Sequence, residues 1–247
     1  MSKKGYELFF EGVDAVLAEI RQTQGKNIEG AAKIIADAII SDNLLHVFGT
    51  GHSNCLSEEI FARAGTLVPI NQVVDLSLAG SVGVMKSIFM ERVEGLGEVI
   101  FNHLQPQMGD VFLVISNSGR NAAPIDFART AKEHEHKVIV ETNVEFSLSQ
   151  TSRHSSGKRL LDYADVILDN KGPYADTILY EEGMGQRVGA ASGIIGAYLI
   201  HATLVEAIYN IKEQGIEPPV FMYGNLDGSM ETNQKLMEKY RDRIHNW

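Results

Sequence analysis

The stretch Phe112-Leu113-Val114-Ile115-Ser116-Asn117-Ser118-Gly119-Arg120-Asn121, FLVISNSGRN, passes from four apolar residues straight into a polar turn. A short apolar run with β-branched members predicts a strand covered on both faces, as in a parallel sheet between helices. Ser, Asn and Gly suit the turn that must follow, because they tolerate unusual dihedrals and offer short side-chain hydrogen bonds. Residues 122–132, AAPIDFARTAK, then read as a helix. The polar cluster therefore sits between a strand end and a helix N-terminus, where unpaired N–H groups and the helix dipole favour an anion. Two readings stand at this point: a phosphate cradle built from two serine hydroxyls and an Asn amide, or serines and asparagines that only cap the helix.

On either side of this stretch, strand candidates lie at 44–48 (LLHVF), 68–74, 137–142 (KVIVET) and 164–170 (ADVILDN), with a further helix at 53–64 ended by Gly65. Two amphipathic helices, 6–24 and 27–40, precede the sheet, and residues 75–96, with Gly80 and Gly83, read as a partly helical insertion over it. A long helix over 188–210 and a final polar helix over 231–245 complete the chain. This alternation predicts an α/β fold of the doubly wound three-layer α/β/α type, with a five-stranded parallel sheet in the order 2-1-3-4-5. Residues 1–247 are expected to form a single domain with its core at about 30–210, N-terminal helices over 6–40 and a C-terminal helical extension over 211–247.

The chain has 247 residues, 44% hydrophobic and 22% charged, with a formal net charge of −10. Such an acidic balance argues against nucleic acid or an anionic membrane surface as partner, so an anionic ligand must be held by local geometry. No apolar run approaches the length of about 20 residues that spans a membrane, and the N-terminal apolar stretch is too short for a signal peptide. A cytoplasmic location is expected. Cys55 is the single cysteine, which excludes an intramolecular disulfide and a thiolate metal cluster.

The first strand ends in HVFGTGHSN, with Gly49, Gly51 and Ser53 at the turn into the next helix. Two glycines there invite a dinucleotide reading, with Asp75 as a ribose ligand. The third glycine of G-x-G-x-x-G is replaced by Asn54, and there is no Walker A lysine, so neither motif is complete. What remains is a pair of polar loops after strands one and three, which flank the switch point of a 2-1-3-4-5 sheet, where open α/β sheets bind ligands.

The pair G-x-G-x-S and S-x-S-G-x-x, about 65 residues apart on such a sheet, resembles the sugar isomerase (SIS) domain. That family includes phosphoheptose isomerases, the isomerase half of glucosamine-6-phosphate synthase and N-acetylmuramic acid 6-phosphate etherases. The resemblance covers roughly residues 30–210, and GTGHSN, EEIFARAG, SRHSSGK and the late GNLDG are most similar to "sugar isomerase domain-containing" proteins. It implies a phosphosugar ligand whose phosphate is gripped by Ser116, Ser118 and Asn121, the last standing where Thr is more usual, with Ser53 on phosphate or sugar. The expected binding set is Gly51, His52, Ser53, Asn54, Ser116, Asn117, Ser118, Gly119, Arg120 and Asn121.

Isomerisation or a related enolisation needs a base to move a proton between adjacent carbons and an acid to help open the ring. The His and Glu that phosphoheptose isomerases carry after the first loop fall on Glu59 and Arg63 here, while their late-helix His matches His201 and the Gln preceding it falls on Gly193. The metal-binding set of those enzymes is thus largely missing, and no metal and no cofactor are expected. Glu59, His201, Glu58 and Glu182 are the catalytic candidates, with Glu181 beside the last. Each has a plainer alternative: solvated carboxylates on a helix face for Glu58 and Glu59, a satisfied core histidine for His201. His154, Ser155 and Ser156 are candidate helix caps, and Asn225 and Asp227 a turn or a lid. A non-catalytic phosphosugar sensor competes with the enzyme reading. The wide apolar stripe of the long helix (Val188, Ile194, Ile195, Leu199, Leu204, Val205 and Ile208) predicts a homodimer or homotetramer.

Overall fold

A computed structural model describes residues 3–244, 246 and 247. Helices α1 (Gly5–Thr23) and α2 (Gly25–Ile40) lead into β1 (Leu45–Gly49), α3 (Ser53–Ile60) and β2 (Ile70–Val73). Then follow α4 (Val84–Met90), α5 (Leu96–Leu104), β3 (Val111–Ile115), α6 (Ala122–Glu133), β4 (Lys137–Thr142), α7 (Val144–Ser149) and β5 (Val166–Asp169). A short hairpin of β6 (Thr177–Leu179) and β7 (Val188–Ala190) precedes α8 (Ser192–Glu213) and α9 (Ser229–Glu238). Strands β1 to β5 pair in the order β2-β1-β3-β4-β5, all parallel, with Leu45 opposite both Ile70 and Val111. This is the doubly wound α/β sheet that the strand spacing predicts.

Strand alternation sorts the core into two layers. Leu45, Val47, Leu113, Ile115 and Ile139 face one way, into a layer built by α2, α3 and α8, where Ala31, Ala32, Ile35, Ile60, Ile195 and Leu199 pack. Phe48, Phe112, Val114, Val138 and Val140 face the other way, onto Phe101 of α5 and Ile125, Phe127 and Ala128 of α6. Phe127 stacks on Phe48 with ring centroids 4.3 Å apart and meets Phe112 edge-on at 5.6 Å. The C-terminal residues Phe221, Tyr240 and Ile244 close a third cluster over Leu44 and Val68.

Several boundaries differ from the sequence expectation, each for a local reason. The helix after the first loop stops at Ile60 rather than 64, because Phe61 is extended and Ala62 turns with φ of 48° before Gly65 is reached. The expected helix 188–210 is a strand followed by a helix. Gly189 has φ of 83°, outside helical space, and Val188–Ala190 pairs antiparallel with Thr177–Leu179. Helix α8 starts at Ser192, where Asp176 accepts from the Ala191 and Ser192 N–H groups and from the Ser192 hydroxyl, and runs on to Glu213. Within its 22 residues an 18-residue window has a mean hydropathy of 1.4, so one helix does reach the length and apolarity of a membrane span; its apolar residues Ile195, Leu199, Leu204 and Ala207 pack in the core. The last helix is Ser229–Glu238, not 231–245: after Lys239 the chain turns so that Arg243 reaches Asp110, and residue 245 lies outside the described residues.

Candidate functional site

The carboxyl ends of β1 and β3 open into a cavity of about 300 Å³ at the switch in strand order. Thr50, Gly51, His52 and Ser53 of the first loop form one wall and Ser116, Asn117, Ser118 and Asn121 of the second another. Ser87, Ile88 and Glu91 from α4 and its end cover them, and Asp176 and Ser192 close the far side. A larger cavity, about 490 Å³, lies at the β2 edge between Asn71, His103 and Arg243. It has no glycine loop and no helix N-terminus, so the chemistry of the sheet's carboxyl end points to the smaller one.

The second loop is held by main-chain bonds. Ser116 N–H donates to the Glu141 carbonyl at 3.0 Å, Asn143 N–H to the Asn117 carbonyl at 3.1 Å, and Leu160 N–H to the Gly119 carbonyl at 2.9 Å. Gly119 has φ of 58°, and a Cβ there would stand 2.8 Å from the Ser147 hydroxyl, so the turn needs glycine on both counts. Its N–H donates to the Ser116 carbonyl and, at 3.2 Å, to the Ser116 hydroxyl oxygen. Asn121 is the residue before α6 and caps nothing with its side chain. Its Oδ1 instead accepts from Arg153 Nη1 at 2.8 Å. Among the described residues, the hydroxyls of Ser53 and Ser118 and the Asn121 amide nitrogen donate to no protein acceptor, although Asn121 is only 6% exposed. Donors of this kind in a cavity wall are available to a ligand.

Glu91 and Asp176, neither singled out by sequence reading, are the cavity's carboxylates. Glu91 Oε2 accepts from the Thr50 hydroxyl at 2.9 Å and its carbonyl accepts from Ala123 N–H, which ties α4 to the start of α6. Asp176 is occupied by the three donors at the start of α8. A third acid lies beneath the loop. Glu141, 1% exposed at the end of β4, accepts from Asn170 Nδ2 at 2.7 Å, and the same amide donates to Asn117 Oδ1 at 3.0 Å. Burial pushes the Glu141 carboxyl up to about 7, the nearby charges of Asp169 and Asp176 adding to this and the Asn170 bond opposing it.

The expected catalytic residues lie apart from this cavity. Glu59 and His201 are brought together, His201 Nε2 3.4 Å from Glu59 Oε1, on the outer side between α3 and α8. Both side chains are 34% exposed, and Glu59 also pairs with Arg63 at 3.1 Å. Glu58 is exposed on α3, and Glu181 and Glu182 sit exposed in the turn between β6 and β7. Asn54 turns its side chain to Ser57, and Arg120 turns its guanidinium to Gln150 and Thr151, so neither lines the cavity. Asp75 holds Ser77 in a local turn. His154, Ser155 and Ser156 cap no helix: His154 Nε2 meets Asp126 at 3.0 Å and Ser155 meets Glu94. Among the described residues no group of three or more His, Cys, Asp or Glu is gathered as a metal site.

The sequence pattern of the SIS domain matches residues 8–143, and the chain belongs to the SIS domain family. Within it, the chain is similar over nearly its whole length to UPF0309 proteins: that of Geobacillus sp. (strain WCH70) is 38% identical over 238 residues, 96% of each chain. Two solved structures share the fold. The Vibrio vulnificus NanR protein complexed with ManNAc-6P superposes with a TM-score of 0.53 and 11% identity, covering 99% of this chain and 72% of that one. The sugar isomerase domain of the RpiR transcription factor from Sphaerobacter thermophilus gives 0.52 and 11%, covering 96% and 99%.

Proposed function

We propose that this chain binds a phosphorylated sugar in the cavity between the Gly49–Ser53 and Ser116–Asn121 loops and catalyses its isomerisation or a related enolisation in the cytoplasm. The observation that carries the reading is the set of unengaged donors, Ser53, Ser118 and the Asn121 amide, gathered where two strand ends and the α6 N-terminus converge. A phosphosugar complex is known for the NanR protein of the same fold, which supports the ligand class.

With the phosphate on the second loop, the sugar extends toward α4 and α8, where Glu91 and Asp176 stand. Enolisation needs a carboxylate with a free oxygen near the carbon acid. Asp176 is saturated by the α8 donors, whereas only one oxygen of Glu91 is engaged, by Thr50. Glu91 is the best-placed base, and the Thr50 bond fixes its orientation. The test is a panel of phosphosugars scored by thermal stabilisation and then by exchange of the carbon-bound proton with deuterated solvent. Glu91→Gln should keep binding and lower exchange on the order of 100-fold to 10,000-fold. Full exchange in that variant would remove Glu91 from the role.

A non-catalytic sensor is the second reading. It is favoured by the placement of Glu59 and His201 outside the cavity and by the RpiR sugar isomerase domain among similar folds. A phosphosugar that stabilises the protein but shows no proton exchange would decide for it.

A further inference from the structure

The cavity presents a charge problem. Its unengaged donors Ser53, Ser118 and Asn121 are neutral hydroxyls and an amide, His52 is the one ring-nitrogen group in its wall, two carboxylates line it with no lysine or arginine, and the whole chain carries −10. A phosphate dianion brought there would meet unfavourable long-range electrostatics unless positive charge is supplied locally.

That charge is present just outside the lining. The segment 150–158 folds back over the start of α6: Arg153 N–H donates to the Arg120 carbonyl at 2.9 Å, and Ser152 Oγ donates to the Lys158 carbonyl at 2.6 Å. It is fastened at its far end. His154 Nε2 donates to Asp126 Oδ1 of α6 at 3.0 Å, since Nδ1 accepts from Ser156 N–H, and the Ser155 N–H and hydroxyl both donate to Glu94. This arrangement lays the Arg153 guanidinium against the cavity-lining Asn121. Arg120 stands in the loop itself, and Arg92 follows Glu91, whose carbonyl is bonded to Ala123. Among the described residues none of the three arginines is paired with a carboxylate; Arg120 is turned to Thr151 and Gln150, and Arg153 to Asn121. Arg153 is exposed at the rim, yet its partial desolvation and the repulsion from Arg120 and Arg92 both lower its tendency to hold its proton, with Glu91 alone opposing. Like charges held together without a counter-ion are a site short of an anion.

We infer that Arg153, presented by the 150–158 segment and backed by Arg120 and Arg92, is the charge-selecting residue of the site, restricting its ligand to a sugar carrying a dianionic phosphate monoester. This rests on the phosphosugar reading and adds to it the source of the positive charge. Asn121 is the relay: with its Oδ1 taken by Arg153, its amide is turned so that only donors face the ligand.

The test is calorimetric titration of the full chain with inorganic phosphate at about pH 8, where phosphate is the dianion, in low and in near-physiological salt. Arg153→Gln should weaken binding about tenfold or more and flatten its fall with salt, with the melting temperature lowered only slightly, because Arg153 is exposed and its loss removes one hydrogen bond, that to Asn121. Arg153→Lys should recover part of the affinity. Ser116→Ala/Ser118→Ala should lose binding independently. Parental affinity and salt dependence in Arg153→Gln, with binding lost in the serine variant, would overturn the charge-selecting role and leave the loop reading standing. No phosphate binding by the parent chain would overturn both.

Discussion

Glu141 is a carboxyl group placed where ionisation is costly, and Asn170, which donates both to it and to Asn117, ties it to the Ser116–Asn121 loop. Its folded value of about 7 lies above the ordinary 4.5, so between these the folded chain keeps a proton that the unfolded chain has released. The resulting stability is fully present below about pH 4.5 and is lost as pH rises through 7. Glu141→Gln keeps an acceptor for Asn170 and removes the ionisation. It should be more stable than the parent above pH 7 by about 3 kcal/mol, the free energy that separates the two protonation equilibria, and should flatten the denaturation profile across that window. Parallel profiles for the two proteins would contradict the burial assigned to this group. Asp110 is the opposite case: burial alone would raise it, yet His46, the Leu44 N–H and Arg243 hold it well below the usual carboxylate range. The stability it contributes is present above the ordinary carboxylate range and is lost only as strongly acidic pH is approached. Asp110→Asn should cost on the order of 3–5 kcal/mol in a urea melt at neutral pH, because it leaves a largely buried arginine without its counter-charge. A loss under about 1 kcal/mol would mean that the C-terminal segment docks without this pair.

Among the elements, the start of α8 shows how the fold makes the site. Asp176 has φ of 63° and ties three donors together at the first turn of α8 while lining the cavity. Asp176→Ala should cost about 1–2 kcal/mol of stability, the range for a lost helix cap, and should weaken ligand binding by loosening that wall; a thermal melt and a titration report the two separately. An unchanged melting temperature would contradict the capping role. What is legible in the chain divides along the same line. Strand β4 falls on the residues expected, 137–142, and β3, Val111–Ile115, takes in the apolar run 112–115, because a strand covered on both faces has an apolar run at its centre, here FLVI and VIV. The two polar loops that line the cavity are legible for the same reason, since each is the break after such a run. The β6–β7 hairpin is not: its burial is partial and its cue, Gly189 among apolar residues, also fits a helix start. Glu91 and Asp176 carry no local signal, and Arg153 lies in the SRHSSGK stretch without any cue that it points to the cavity rim. Each reaches the cavity or its rim from an element far along the chain, through contacts that only the closed fold creates. Glu59 and His201 stand at positions of a family pattern, and the chain does pair them, though outside this cavity.

For the molecule as a whole, the apolar surface left over after folding bears on assembly. On α8 the buried residues Ile195, Leu199 and Leu204 account for one face, while Ile194, Tyr198, Val205 and Tyr209 remain exposed, as do Tyr6 and Phe10 of α1. The two helices share a surface, as Arg21 of α1 bonds the Tyr198 hydroxyl at 3.3 Å. A face of this kind is expected to pair with a second copy of the chain. Sedimentation at micromolar concentration should show a dimer or tetramer; a single 27.2 kDa species would contradict it. Glu59 and His201 lie on these same layers, so loss of ligand binding on dilution to monomer would show that assembly completes the site.

Everything proposed for the site depends on the SNSGRN loop holding a phosphate, and this is checked by comparing ligand-induced stabilisation of the parent with that of Ser116→Ala/Ser118→Ala. A phosphosugar at about 100 times its dissociation constant should stabilise the parent by roughly 2.7 kcal/mol. The double variant should lose most of that increment while its ligand-free stability falls by only about 1 kcal/mol, and the unphosphorylated sugar should stabilise neither protein. Equal stabilisation of parent and variant by the phosphosugar would place the phosphate elsewhere and reduce the loop to an ordinary turn between a strand and a helix.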